Sequence, residues 1–283
     1  MRPILALVIA LVASVVGHLV FWFAGASFLR EMQVGFAVNP GWIALVVLGA
    51  LIIAVAMLTV AMSPIGVLVV GGIQIVVSLL ALLVPVGIDS FSPVAQVMFA
   101  VQDVNVELSH GMTYYVATGI ALLIGVVFLV GGLVAGSRAV HAGATATLLG
   151  LIVAVVVGFL GLLVGIAGGY SAYRVAYMFF AGLDVPGVLL LLLGAILLGV
   201  AVATTRWSSL GVIVLGSLVA LAALIEMLVG YVRALRAFPD LQQSLSGAAA
   251  TGGLLLLGLL LIAAGVGLWL RGRRVARGAL DTV

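Results

Sequence analysis

The sequence predicts an all-α integral membrane protein of eight transmembrane helices, arranged as two tandem, parallel four-helix repeats. Three observations predict it. Sixty-six per cent of the 283 residues are hydrophobic and only 7% are charged, against about 25% charged in a soluble domain. Apolar runs long enough to cross a bilayer recur along the whole chain. The second half also repeats landmarks of the first at a nearly constant offset.

A helix needs roughly 20 apolar residues to span the hydrocarbon core. Segments of that kind run over Ile4–Ala26, Pro40–Met62, Pro64–Val86, Met112–Gly136, Ala144–Ala167, Pro186–Thr205, Ser208–Gly230 and Gly247–Leu270. The first begins after Arg2 and ends at Ala24-Gly25-Ala26, which has the look of a secretory signal with its cleavage site. Its apolar run is longer than a signal core, and it has a counterpart in the fifth span, so it is read as a retained helix. No charge occurs between Glu31 and Asp89, a stretch too long for one span. Ser63-Pro64 divides it, because Ser63 can cap a helix and Pro64 suits a first turn. Asn39-Pro40 opens the second span in the same way, and Asp184 stands where it can help start the sixth.

The landmarks that recur are Pro40-Gly41 with Pro186-Gly187, Ser63 with Ser208, Ala117-Thr118-Gly119 with Ala250-Thr251-Gly252, Gly125 with Gly258, and Arg138 with Arg271. The offset is 145 residues from Ser63 to Ser208 and 133 from Thr118 to Thr251. An insertion of about a dozen residues in the first half, before its fourth span, accounts for the fall. Four spans per half make the repeats parallel, related by an axis along the membrane normal. The halves are taken as 1–138 and 139–283, the second ending in a basic tail. Gly161, Gly165 and Gly169 place two overlapping G-x-x-x-G steps on the fifth span, with Gly17 and Gly25 on the first. Such small residues let helices approach closely in lipid, whether within one chain or between two copies.

Every one of the eleven basic residues is arginine, and there is no lysine or cysteine. Disulfides and thiolate chemistry are excluded, and the composition points to a GC-rich genome. With an even number of spans both termini share one side, which holds Arg2, Arg138, Arg206, Arg271, Arg273, Arg274 and Arg277. Basic residues mark the cytoplasmic face. The sequence therefore predicts a bacterial plasma-membrane protein with cytoplasmic N- and C-termini. The net charge of +3 reports orientation, not nucleic-acid binding.

Connections on the opposite, extracytoplasmic side are the longer ones. After Ser92-Pro93, Val94, Val97, Met98, Val101, Val104 and Leu108 recur at helical spacing, with Gln96, Asp103, Asn105 and Glu107 largely between them. That pattern predicts a short interfacial helix, and a second follows Pro239 through Leu241 and Leu245. Tyr170, Tyr173 and Tyr177 share one helical face close to Phe179 and Phe180, as expected at a headgroup region. These segments either cap and anchor the bundle or dock a partner.

Polar residues inside spans are functional candidates by default. Three stand out: Glu226, within reach of Arg233 two turns on, His18 and Gln74. Each has a structural reading as well, a paired carboxylate for Glu226 and interhelical hydrogen bonds for the other two. Their counterparts across the repeat are Ala81, Leu162 and Val219, so a site made from them is not duplicated. Arg30 and Arg174 do correspond. Arg30 has Glu31 beside it and Arg174 has Asp184 as a possible partner. Together with Tyr173, Tyr177, Asp103 and Glu107 they make up the candidate outer-interface set. His110 and His141 fall on opposite sides of the membrane from one another, so no metal site is expected, and no cofactor motif is present.

The function predicted is non-catalytic, that of a scaffold or accessory subunit of a membrane complex acting through its outer loops. The competing expectation is a transporter or channel for an ion, lipid or small apolar solute, with a path between the repeats. The expected partners are the lipid bilayer and either another membrane protein or further copies of the chain.

Overall fold

In a computed structural model that describes residues 2–35, 39–83, 93–137, 143–178, 182–229 and 239–280, every regular element is helical. Eleven α-helices occur in the order α1 (Arg2–Gly35), α2 (Pro40–Leu58), α3 (Ile65–Leu83), α4 (Pro93–Val104), α5 (Val106–Ala117), α6 (Ile120–Gly136), α7 (Ala144–Tyr173), α8 (Val185–Ala203), α9 (Ser209–Val229), α10 (Pro239–Ala250) and α11 (Gly253–Leu280). Seven helices are long and apolar enough to cross a membrane. They become eight if α5 and α6, bent by 66° at their junction, are counted as one span. The architecture is compatible with a multi-pass membrane protein.

Local chemistry sets the ends of the helices. The Asn39 side chain accepts from the Gly41 amide at 2.9 Å and opens α2 with Pro40 in its first turn. Asn39 Nδ2 also donates to Glu31 at 3.1 Å, tying the end of α1 to the start of α2. At the far end of α2 the chain tightens into a 3-10 turn, Thr59–Ala61, where the Thr59 hydroxyl donates to the Ala56 carbonyl at 2.7 Å. The same device closes α8, where Thr204 donates to Ala201 O at 2.6 Å. Asp184 does not cap α8 with its side chain. Its carboxylate is turned toward α7 and accepts from Ser171 at 2.6 Å.

Two spans read as continuous from the sequence are each made of two helices. Gly119 (φ +72°) separates α5 from α6, and Gly252 (φ +79°) separates α10 from α11. The preceding threonines donate back, Thr118 to Tyr114 O at 2.6 Å and Thr251 to Gly247 O at 3.0 Å. A side chain at φ near +70° is disfavoured by about 1–2 kcal/mol, and Leu191 crowds Gly119 as Val46 crowds Gly252. Gly119→Ala and Gly252→Ala should therefore each destabilise by about 2 kcal/mol, read as a lowered melting temperature in detergent. A wild-type melting curve for either would contradict the left-handed break.

The interfacial helix predicted after Pro93 is present as α4, but it ends at Val104. Asn105 caps a new helix by accepting from the Leu108 amide at 2.9 Å. The apolar face expected of α4 is only partly covered, since Val101 packs against the core while Val97 is 54% and Val104 82% exposed. The helix predicted after Pro239 is α10.

Glycine contacts recur between the halves. A Cβ on Gly17 of α1 would lie 2.6 Å from Ile53 Cγ1 of α2, and one on Gly161 of α7 would lie 2.8 Å from the Leu198 amide of α8. Gly25 of α1 lies against the Thr251 carbonyl, and Gly169 of α7 against the Thr118 carbonyl. The first helix of each half therefore rests on the helix break of the other. Between the halves α2 packs on α11, and α6 on both α8 and α11. Ile53, Met57, Ile120, Ile124, Leu191, Leu198, Leu255 and Leu260 are all at most 2% exposed there. The interior of this seam is thus filled by close-packed side chains. The seam opens at one end, where a crevice lies between the end of α6 and the 205–213 and 266–273 segments. Its central helix is α11, whose apolar window is 67% buried, against 33% for the peripheral α1. Outward-facing Val8, Val12, Leu148, Ile152, Leu218 and Leu221 are exposed, the surface expected of helices solvated by lipid.

Candidate functional site

The unshared polar residues His18 and Gln74 come together. His18 on α1 and Gln74 on α3 meet Tyr115 of α5, and all three are buried, at 5%, 8% and 4% exposure. His18 Nδ1 donates to the Ser14 carbonyl at 2.6 Å, one turn back, which leaves Nε2 as the acceptor of the neutral imidazole. The Gln74 side-chain amide donates to that nitrogen at 3.1 Å. The Tyr115 hydroxyl donates to Gln74 Oε1 at 2.7 Å and lies 2.9 Å from His18 Nε2. The phenol thus has one proton and two acceptors in reach. The result is a closed polar ring between three helices, set in an apolar protein.

Each member is placed by its helix. Gln74 stands nine residues into α3 from Ile65, about 14 Å along the axis at 1.5 Å per residue. That is close to the middle of an apolar layer of about 30 Å. Tyr115 projects from the last turn of α5, just before the Thr118-Gly119 break. Trp22, one turn beyond His18, completes an aromatic cluster, with His18–Trp22, His18–Tyr115 and Trp22–Tyr115 centroids at 5.3, 5.3 and 5.7 Å.

Beside the ring is a cavity of about 370 Å³ lined by α1, α3, α4, α5 and α6. Its polar floor consists of Ser14, His18, Gln74 and Tyr115, and no charged residue lines it among the described residues. Val15, Leu19, Ile73, Val77 and Val97 form its rim and are exposed at the molecular surface. The cavity therefore opens sideways, toward the lipid, and lies within the first half. Leu162, Val219 and Ala248 hold the equivalent places in the second half and are buried and apolar.

Glu226 lies apart from this ring. Its Oε1 accepts from Ser246 of α10 at 3.0 Å, and its buried Oε2 has no hydrogen-bond partner among the described residues. Arg233, the partner expected for it, lies outside the described residues.

The outer-interface set is dispersed. Arg30 pairs with Glu107 of α5 instead of with Glu31, which is held by Asn39. Asp103 is exposed on α4. Tyr173 packs its ring 5.4 Å from Tyr114 and 6.3 Å from Tyr170. Arg174 is half-buried at the start of a π-helical turn, Arg174–Met178, that continues α7. Tyr177 belongs to that turn, and its side chain lies outside the described residues, as do Phe179 and Phe180.

At the opposite end is a basic crevice of about 970 Å³, with Arg206, Arg271, Arg273, Trp207, Trp269 and Ser208 in its wall. Arg271 donates from Nε to Ala135 O at 2.9 Å and from Nη1 to Val60 O at 3.3 Å. It thereby closes the carbonyl ends of α6 and of the Thr59–Ala61 turn. Arg274 reaches Ala61 O at 3.2 Å, and the Arg273 guanidinium lies 3.8 Å over Trp269. Gly66 of α3 rests on Ala6 and Ala10 of α1, so the start of α1 and the end of α11 lie at this end.

Fold and site together define a class, an all-helical protein compatible with a polytopic membrane protein that carries one asymmetric polar ring beneath a lipid-facing cavity. No family model, curated protein or solved structure matches the chain.

Sequence reasoning missed Tyr115 and Trp22. Aromatic residues in a membrane protein are ordinarily assigned to its interfaces, and the break that turns Tyr115 toward His18 is not visible as a change of hydropathy. The paired Tyr114-Tyr115 immediately before Ala117-Thr118-Gly119 was the available signal.

Proposed function

We propose that the chain is a non-catalytic scaffold or accessory subunit of a bacterial plasma-membrane complex. In this reading it consists of two parallel four-helix repeats, 1–138 and 139–283, and both termini are cytoplasmic. The observation that carries the proposal is the packed seam between the halves. A solute path on the pseudo-twofold axis needs polar or open space through the whole seam. Beyond the crevice at its Arg-rich end, the seam's interior is occupied by large apolar side chains at most 2% exposed. The recurring glycine contacts support the repeat. The Arg-rich end with its two tryptophans supports the orientation.

Recognition is assigned to the end opposite the termini. Helix α1 has 34 residues, roughly 51 Å at 1.5 Å per residue, so it outruns an apolar layer of about 30 Å. Its overhang, together with α4, α5 and α10, builds a polar rim that includes the Arg30–Glu107 pair. Extraction in a mild detergent should bring down a stoichiometric partner or yield a defined homo-oligomer. A clean monomer under several gentle conditions would overturn the reading.

One observation favours the alternative, transport of a lipid or apolar solute. It is the sideways cavity over the His18–Gln74–Tyr115 ring, which admits a molecule from the bilayer without any path between the halves.

A further inference from the structure

We propose that the cavity between α1, α3 and α5 is a binding site for a neutral ring carbonyl on an apolar tail, the chemical class of the lipid-soluble quinones. The site stands apart from the accessory-subunit reading and neither needs nor contradicts it.

Four features define the occupant. The rim residues Val15, Leu19, Ile73 and Val77 face outward, so the ligand arrives through lipid and leaves its tail there. Among the described residues no charged side chain lines the cavity, and an ionic head would enter without compensation from them. This sets aside phospholipids and fatty-acid anions. The third feature is a surplus of hydrogen-bond donors. The ring uses one of the two N–H groups of the Gln74 amide, and among the described residues the buried Trp22 Nε1–H has no acceptor. A buried donor without a partner is rare and costly. A carbonyl oxygen would take the second Gln74 N–H. A small turn of the indole, whose Nε1 is closed to the cavity in this structure, would bring the Trp22 donor to it. Finally, His18, Trp22 and Tyr115, packed ring to ring at 5.3–5.7 Å, all line the cavity, and an aromatic lining favours a flat conjugated guest. A volume of about 370 Å³ lies at the lower end of small-molecule sites, roughly 300–1,000 Å³. It suits one ring and the start of one tail.

The test uses the full chain in lipid nanodiscs and a photoreactive azido-benzoquinone with a decyl tail. Saturable labelling is expected, mapped by mass spectrometry to peptides of α1, α3 and α5. Decylbenzoquinone should compete, and decylbenzene and dioleoylglycerol should not. Gln74→Leu and Trp22→Phe should each weaken labelling about tenfold, as loss of one buried hydrogen bond implies. Trp22→Phe keeps the test open if Gln74→Leu fails to fold, because its indole N–H has no partner among the described residues. Labelling that never saturates and spreads over all lipid-facing spans would overturn the site. Equal competition by decylbenzene or dioleoylglycerol would overturn the ligand class. Undiminished labelling of Trp22→Phe would remove the donor argument.

Discussion

Gly169→Ala is expected to destabilise the protein by about 3 kcal/mol or more, at the upper end of the cost of overpacking a core. An added Cβ would fall on the Thr118 carbonyl oxygen, and that oxygen cannot step aside. Thr118 is held at the α5–α6 bend by its own hydroxyl bond to Tyr114 O at 2.6 Å, and the next residue is in the left-handed conformation. Backbone must therefore move against backbone, separating α7 from the break it covers. Gly25→Ala should act in the same direction, since its Cβ would lie 2.6 Å from the Thr251 carbonyl. Gly72→Ala is the control. Nothing lies within 4 Å of its added carbon, and alanine is favoured over glycine within a helix by about 1 kcal/mol. Unfolding in mixed detergent micelles reads all three. If Gly169→Ala melted with the unaltered protein, the close crossing between the halves would be wrong.

The contrast between Gly169 and Gly72 marks what a sequence of this kind makes legible. Hydropathy reports which residues need lipid, so the long apolar runs could be placed from composition alone. It does not report the direction of the backbone. The apolar pattern passes through Thr118-Gly119 and Thr251-Gly252 without interruption, and both spans therefore looked straight. The recurrence of Ala-Thr-Gly was visible, but only as a match between halves and not as a bend.

Pairing failed for a related reason. Arg30 was given its neighbour Glu31, yet adjacent residues on a helix do not face one another. Its partner, Glu107, is 77 residues away and reaches it only because α5 folds back on α1. His18 and Gln74 were legible because polar groups in apolar spans are conspicuous. That they share one ring required the crossing of α1, α3 and α5.

That ring supplies the second large effect. His18→Leu is expected to cost about 2 kcal/mol, because it takes from the buried Gln74 amide the acceptor of its N–H. After Gln74→Leu, by contrast, the Tyr115 hydroxyl can still donate to His18 Nε2, 2.9 Å away. Individual hydrogen bonds between membrane helices average only about 0.6 kcal/mol in double-mutant cycles, with a maximum near 1.7. The larger figure comes from an orphaned donor held in an apolar setting, not from the bond itself. The triple variant His18→Leu, Gln74→Leu, Tyr115→Phe should consequently lose less than the sum of its three single changes, since it leaves no orphan behind. Strict additivity would show that the three groups act separately and that the ring is not a network. Trp22→Phe should cost less than His18→Leu, because among the described residues the indole N–H has no partner to lose and only ring packing against His18 and Tyr115 is reduced. A residue that is dispensable for folding but required for labelling by a tailed quinone marks the site as a binding site. If Trp22→Phe destabilised as strongly as His18→Leu, the cluster would be a structural core and the cavity only a gap beside it.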